Sequence, residues 1–120
     1  MLEVRPESTG KILWLRGAVR LNAKDYREVL TPCLEAVIRE DGKVRLLFEL
    51  APDFQGWTWG ALWQDLKLDL KYWGNFEKVA LVGAPFWAVA GIKLFGGFLP
   101  GEVRTFRREH LAEAWIWIQE

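Results

Sequence analysis

AKDYREVLTPCLEAVIREDGKVRLLFEL, residues 23–50, changes its hydrophobic period part-way along. In the first part Tyr26, Val29, Leu30, Cys33, Val37 and Ile38 recur at spacings of three and four, so they share one helical face, with Lys24, Arg27, Glu28 and Glu35 elsewhere. After Asp41-Gly42 the period falls to two: Val44, Leu46, Phe48 and Leu50 take one side of a strand, Arg45, Leu47 and Glu49 the other. A helix closed by glycine and followed at once by a strand is the building unit of an α/β domain. Asn22 supplies the helix cap. Pro32 removes one backbone hydrogen bond inside the run, and since the apolar face stays in phase on both sides it predicts a kink without a break. A strand covered on both faces would be almost wholly apolar, so the half-polar pattern of residues 44–50 predicts helices stacked mainly on one face of the sheet.

Outward from this unit the pattern repeats. Lys11 to Val19 (KILWLRGAV) reads as a strand after the turn residues Glu7 to Gly10, and Leu2 to Arg5 as its antiparallel partner. Glu77 to Gly83 and Glu102 to Arg107 complete the strands. A last helix over Glu109 to Ile118 presents Leu111, Ala114, Trp115 and Ile118 inward. With two further helices, described below, the expectation is a single α/β domain over residues 1–120: a mostly parallel sheet of four to five strands with four helices.

Composition narrows the function. Sixteen basic and sixteen acidic residues leave no net charge, which argues against a nucleic-acid partner. An apolar share of 51% is enough for a core without disulfide staples, and Cys33, the one cysteine, has no internal partner. No charged start followed by an apolar run marks a signal peptide, so the expected location is the cytoplasm. Eight Trp and seven Phe exceed what a core of this size needs, which points to a ligand, membrane or partner surface.

That surplus is concentrated in two segments. In the helix expected over Trp59 to Trp73, one stripe carries Trp59, Leu62, Trp63, Leu66, Leu70 and Trp73, and a second, nearly opposite, carries Ala61, Leu68 and Tyr72. The next helix opens at Pro85, and Phe86, Trp87, Val89, Ile92, Leu94, Phe95, Phe98 and Leu99 cover it nearly all round, with Lys93 its one charge. Residues 79–101 are long enough to span a bilayer, but Gly83, Pro85, Gly91, Gly96, Gly97 and Pro100 interrupt them, and strand-helix-strand accounts for the same residues. Packing of the two helices against each other is one account of the apolar excess; the other is a hydrophobic ligand cavity or interfacial patch, with Lys67, Lys71 and Lys93 placed to reach lipid phosphates.

The order of elements resembles the STAS fold of anti-sigma-factor antagonists. The stretches AKDYREVLTPCLEAVI, VRLLFELAPDFQGWTWGALWQDLKL, FEKVALVG and LFGGFLPGEVRTF together resemble its SpoIIAA-like branch, related in fold to CRAL-TRIO lipid-binding domains. The resemblance implies a non-enzymatic bacterial domain, often dimeric, whose second and third helices separate from the sheet to bind a hydrophobic ligand or a membrane. On that reading Trp57, Trp59, Trp63, Leu66, Leu70, Phe86, Trp87, Ile92 and Phe95 carry the ligand contact, and the protein is cytoplasmic or peripheral at the inner membrane. The alternative is a protein-interaction regulator of the antagonist type, a homodimer included. STAS regulators are phosphorylated on a Ser or Thr two residues before a glycine at the start of helix two; Thr58, ahead of Gly60, matches that place, although Trp57 and Trp59 replace the acidic and hydroxyl neighbours of the motif.

Catalytic chemistry has little footing. His110 stands alone at a helix start, and no cluster of His, Cys and carboxylates has metal-ligand spacing, so no metal or cofactor is expected. Cys33 falls on the apolar face of its helix as an inert thiol. Glu49 and Asp53 are the best acidic pair, at the end of a strand where ligands of open α/β sheets bind, but a solvent-facing Glu and a turn Asp explain them without chemistry. The glycines of GAPFWAVAG and LFGGF lack the Lys-Ser/Thr of a phosphate loop. Arg104, Arg107 and Arg108 read as a solvated basic edge.

Overall fold

A computed structural model describes residues 1–54, 56–57, 73–84 and 101–120. Seven strands are found there: β1 (Leu2–Val4), β2 (Ile12–Gly17), β3 (Arg20–Leu21), β4 (Val44–Leu50), β5 (Gly56–Trp57), β6 (Phe76–Val82) and β7 (Glu102–Phe106). The main sheet has five strands in the order β1-β2-β4-β6-β7. It is mixed: β1 runs antiparallel to β2, and the other three pairings are parallel. A separate parallel pair, β3 with β5, aligns Arg20 with Gly56 and Leu21 with Trp57. The helices expected over Trp59 to Trp73 and from Pro85 lie outside the described residues.

The first helical stretch begins with a reciprocal cap. Asn22 Oδ1 accepts the Asp25 N–H and Asp25 Oδ2 accepts the Asn22 N–H, each at 3.0 Å, which satisfies donors that the first turn leaves without partners. The expected kink is resolved as three pieces: α1 (Ala23–Asp25), one π-helical turn (Tyr26–Leu30) and α2 (Thr31–Asp41). Pro32 falls in the first turn of α2, where a missing N–H is tolerated, and the wider turn ahead of it absorbs the change of register. Gly42 ends α2 at φ 75°, with its N–H on the Ile38 carbonyl at 2.8 Å.

α2 covers the first face of the sheet. Leu30 and Leu34 pack with Leu13 and Leu15 of β2, Val44, Leu46, Phe48 and Leu50 of β4 and Leu81 of β6. The expectation that helices lie mainly on one face is corrected by α3 (Leu111–Gln119), which covers the second face: Ala114, Trp117 and Ile118 pack with Trp14, Leu47, Ala80 and Val82. Two cations of the alternating strands are occupied by that helix. Arg45 Nη1 donates to the Ile118 carbonyl at 3.0 Å and Lys78 Nζ to the Trp117 carbonyl at 3.1 Å, so two cations meet the carbonyl end of the last helical turn, where the Trp117 oxygen also takes the Glu120 N–H at 3.2 Å. The expected inner face holds: Ala114 and Ile118 are buried and Leu111 and Trp115 pack against the same cluster, Trp115 with its ring centroid 5.0 Å from that of Trp14, and buried Trp117 widens that face.

At the amino end of the parallel strands the register between β4 and β6 shifts, pairing Val44 with Phe76 and Arg45 with Lys78, so that Glu77 is skipped. Its carboxylate accepts hydrogen bonds from Arg45 Nε and Lys11 Nζ, and these hold it below the usual carboxylate range, the Arg45 bond contributing most. A carboxyl with a depressed folded pKa contributes stability above its unfolded value, near 4.3, and loses that contribution as pH falls through the folded value. Urea denaturation should therefore find Glu77→Gln less stable than the parent near pH 7, with the gap closing as the solution is acidified. A gap that stayed constant with pH would show that the ion pairs contribute nothing.

Candidate functional site

Because β2, β4, β6 and β7 are parallel, their carboxyl ends Gly17, Leu50, Val82 and Phe106 line one edge of the sheet. In open α/β sheets this edge is where ligands bind, because the chain leaves each strand there in a different direction. The departing segments are tied together by backbone: the Ala51 N–H reaches the Gly17 carbonyl at 2.8 Å and the Gly83 N–H the Phe106 carbonyl at 3.0 Å. Val19 has the left-handed φ of 59°, unusual for a β-branched residue, and its N–H reaches Asp53 Oδ1 at 3.4 Å. Buried Ala18 and Leu21 fix the chain on either side of this corner.

Gly83 makes the closest approach at the edge. It has φ 76°, and a Cβ placed on it would lie 2.8 Å from the Leu50 carbonyl oxygen and 3.3 Å from Arg108 Nη2. The turn Arg108–His110 brings Arg108 over this point, where its Nη2 donates to the Leu50 carbonyl at 3.4 Å. Arg108 is exposed, as expected of a solvated basic edge, while one arm of its guanidinium reaches the sheet backbone. Arg104 is exposed too, with its guanidinium 5.2 Å from the Phe106 ring centroid and 5.4 Å from that of Trp117.

The acidic pair does not form a catalytic unit. Glu49, with its side chain only 14% exposed, accepts the Trp14 indole N–H at 3.1 Å and faces Arg16 Nε at 3.5 Å, whereas Asp53 is exposed and serves the Val19 amide. His110 is exposed. Cys33 is half-buried on α2 and desolvation pushes its thiol up, which keeps it protonated. Among the described residues no group of three or more His, Cys, Asp and Glu could hold a metal, and no helix is long and apolar enough to cross a membrane.

Of the expected ligand residues, Trp57 is placed in β5 beside Leu21. Trp59, Trp63, Leu66, Leu70, Phe86, Trp87, Ile92 and Phe95 lie outside the described residues, as does Thr58. Both segments that contain them start from the same edge: residues 51–57 lead from β4 toward one, and Gly83-Ala84 lead from the adjacent β6 into the other.

The SpoIIAA-like family model matches residues 12–119, which takes in every strand of this edge. The chain belongs to the SpoIIAA-like family, a branch of the STAS superfamily. A crystal structure of an uncharacterised protein from Shewanella loihica PV-4, with a SpoIIAA-like fold, is 26% identical; the match covers 98% of this chain and 93% of that one, with a TM-score of 0.78. No curated protein matches the sequence. In this SpoIIAA-like chain, the edge depends on a residue without a side chain at position 83. Gly83→Ala should lower stability by at least about 1 kcal/mol, since a left-handed φ and a backbone clash act together. A urea midpoint equal to the parent's would show that the edge relaxes freely.

Proposed function

We propose that this SpoIIAA-like module is a non-enzymatic binder of an apolar ligand or lipid, held by the aromatic segments that leave the carboxyl edge. The observation that supports this reading is their common origin: β4 and β6 are neighbours, and each feeds one of the two segments that concentrate the Trp and Phe surplus. Trp14, Trp115 and Trp117 are accounted for by the second face of the sheet, whereas Trp57, Trp59, Trp63 and Trp87 belong to the stretches leading away from the edge. Trp57, Trp59, Trp63, Leu66, Leu70, Phe86, Trp87, Ile92 and Phe95 are the proposed lining, acting by hydrophobic and aromatic contact.

In the proposed mechanism, the segment following Gly83 opens about that residue and about Gly96-Gly97, admitting the ligand and closing over it. At a membrane surface Lys67, Lys71 and Lys93 would meet lipid phosphates, giving a cytoplasmic protein a peripheral seat on the inner membrane. Native mass spectrometry of freshly purified protein, followed by organic extraction, tests the reading. The expected result is an added mass of lipid size, lost in Trp63→Ala and Trp87→Ala. A ligand-free dimer would overturn it and assign the aromatic surface to a second copy of the chain.

A further inference from the structure

We infer that Glu77, Arg45 and the bulge between their strands form a latch on α3, which opens from the second face of the sheet while the rest of the fold stays closed, and that the charge on Glu77 sets how often it opens. In a regular strand successive side chains leave on opposite faces. Glu77 and Lys78 are consecutive, yet both reach groups on the α3 side: Lys78 Nζ bonds the Trp117 carbonyl, and Glu77 bonds Arg45, whose Nη1 bonds the Ile118 carbonyl. The register shift that skips Glu77 permits this, because an inserted residue re-aims its neighbours. The irregularity thus gathers one anion and two cations under a single helix end.

α3 holds the sheet by two kinds of contact. Its apolar contacts, from Ala114, Trp117 and Ile118, are non-directional. Its start carries no side-chain cap, so its directional attachment to the sheet is the pair of cations at its carbonyl end. Of the two, Arg45 is the one that a second group controls. With its side chain only 13% exposed, it is divided between Glu77 through Nε and Ile118 through Nη1, so the carboxylate fixes the plane in which the other arm meets the helix. A neutral group at position 77 leaves that guanidinium without its counter-charge, and turning toward water then competes with the bond to Ile118. Among the described residues Glu77 is faced by Arg45 of β4 and by Lys11 ahead of β2, with Lys78 next to it and Glu102 of β7 opposite Lys78. Both facing cations favour the charged carboxyl, so the latch is closed near neutral pH and released in acid. Opening uncovers Trp14, Leu47, Ala80 and Val82.

Amide hydrogen exchange of the full chain, followed by NMR, tests the latch. In the parent near pH 7, the amides of Trp115 to Gln119 should be less protected than those of Leu46, Phe48 and Leu81. Leu34→Ala, or the milder Val37→Ala, weakens only the first face, and should lower protection of the sheet amides while leaving α3 unchanged. Glu77→Gln should lower protection of the α3 amides about tenfold, and the gap between this variant and the parent should close as the solution is acidified. Equal protection of helix and sheet in the parent, or α3 protection that falls with the sheet in Leu34→Ala and Val37→Ala, would show that α3 leaves only on global unfolding and would overturn the latch. So would Glu77→Gln if it left α3 as protected as in the parent, since the contacts of Glu77 would then survive the opening.

Discussion

The reception of the last helix by Arg45 and Lys78 is the constraint on which the rest of the structure depends. Both side chains rise from the second face of the sheet toward carbonyls of the final turn, Ile118 for Arg45 and Trp117 for Lys78. Hydrogen bonds from charged donors are worth more than neutral ones, about 1.5–3 kcal/mol each, and here the negative end of the helix dipole adds to them. Their effect is positional as well as energetic. With its carbonyl end held over the amino ends of β4 and β6, α3 must start at the opposite edge, which places the turn Arg108–His110 beside Leu50 and Gly83. The same contact lets strands that alternate polar and apolar residues be covered on both faces.

Much of the fold is legible in the sequence because period and punctuation agree. The change of period at Asp41-Gly42, the Asn22 cap and the antiparallel partner at Leu2 to Arg5 all correspond to observed features. What failed was reading a charged strand residue as a solvated one. Arg45, Lys78 and Glu49 are bonded to a helix end or to an indole, and no local pattern distinguishes a cation that faces water from one that faces the carbonyls of a helix end. The β3–β5 pair is invisible for a different reason: two residues cannot show a period, and their alignment arises from the distant contact of Leu21 with the core. The π turn belongs between these cases, since Pro32 announces a distortion but not the form it takes.

Composition nominates the candidate site, and the topology gives the two nominated stretches a common edge. Aromatic residues concentrated in two stretches marked those stretches, but the reason they belong together is topological: β4 and β6 are adjacent and parallel, so both chains leave from one edge. Glu49 drew attention because carboxylates at strand ends often do chemistry, yet the Trp14 indole and Arg16 hold it. Conversely, Arg108 carried no signal, because a third arginine in a basic run reads as surface. Only the backbone beneath it, Gly83 and the Leu50 carbonyl, shows where its guanidinium lies.

The strand order β1-β2-β4-β6-β7 is also the order along the chain. During synthesis each new strand therefore meets an edge already in place, so the sheet can grow outward from its first hairpin without waiting for a distant partner, a route that lowers the entropy of each closure. The second face is the exception. Leu47, Ala80 and Val82 are laid down well before α3, and until those final residues emerge they form a greasy plane with no cover. The hazardous interval in biogenesis is the one before α3 emerges, and the risk then is association between half-finished copies through that plane.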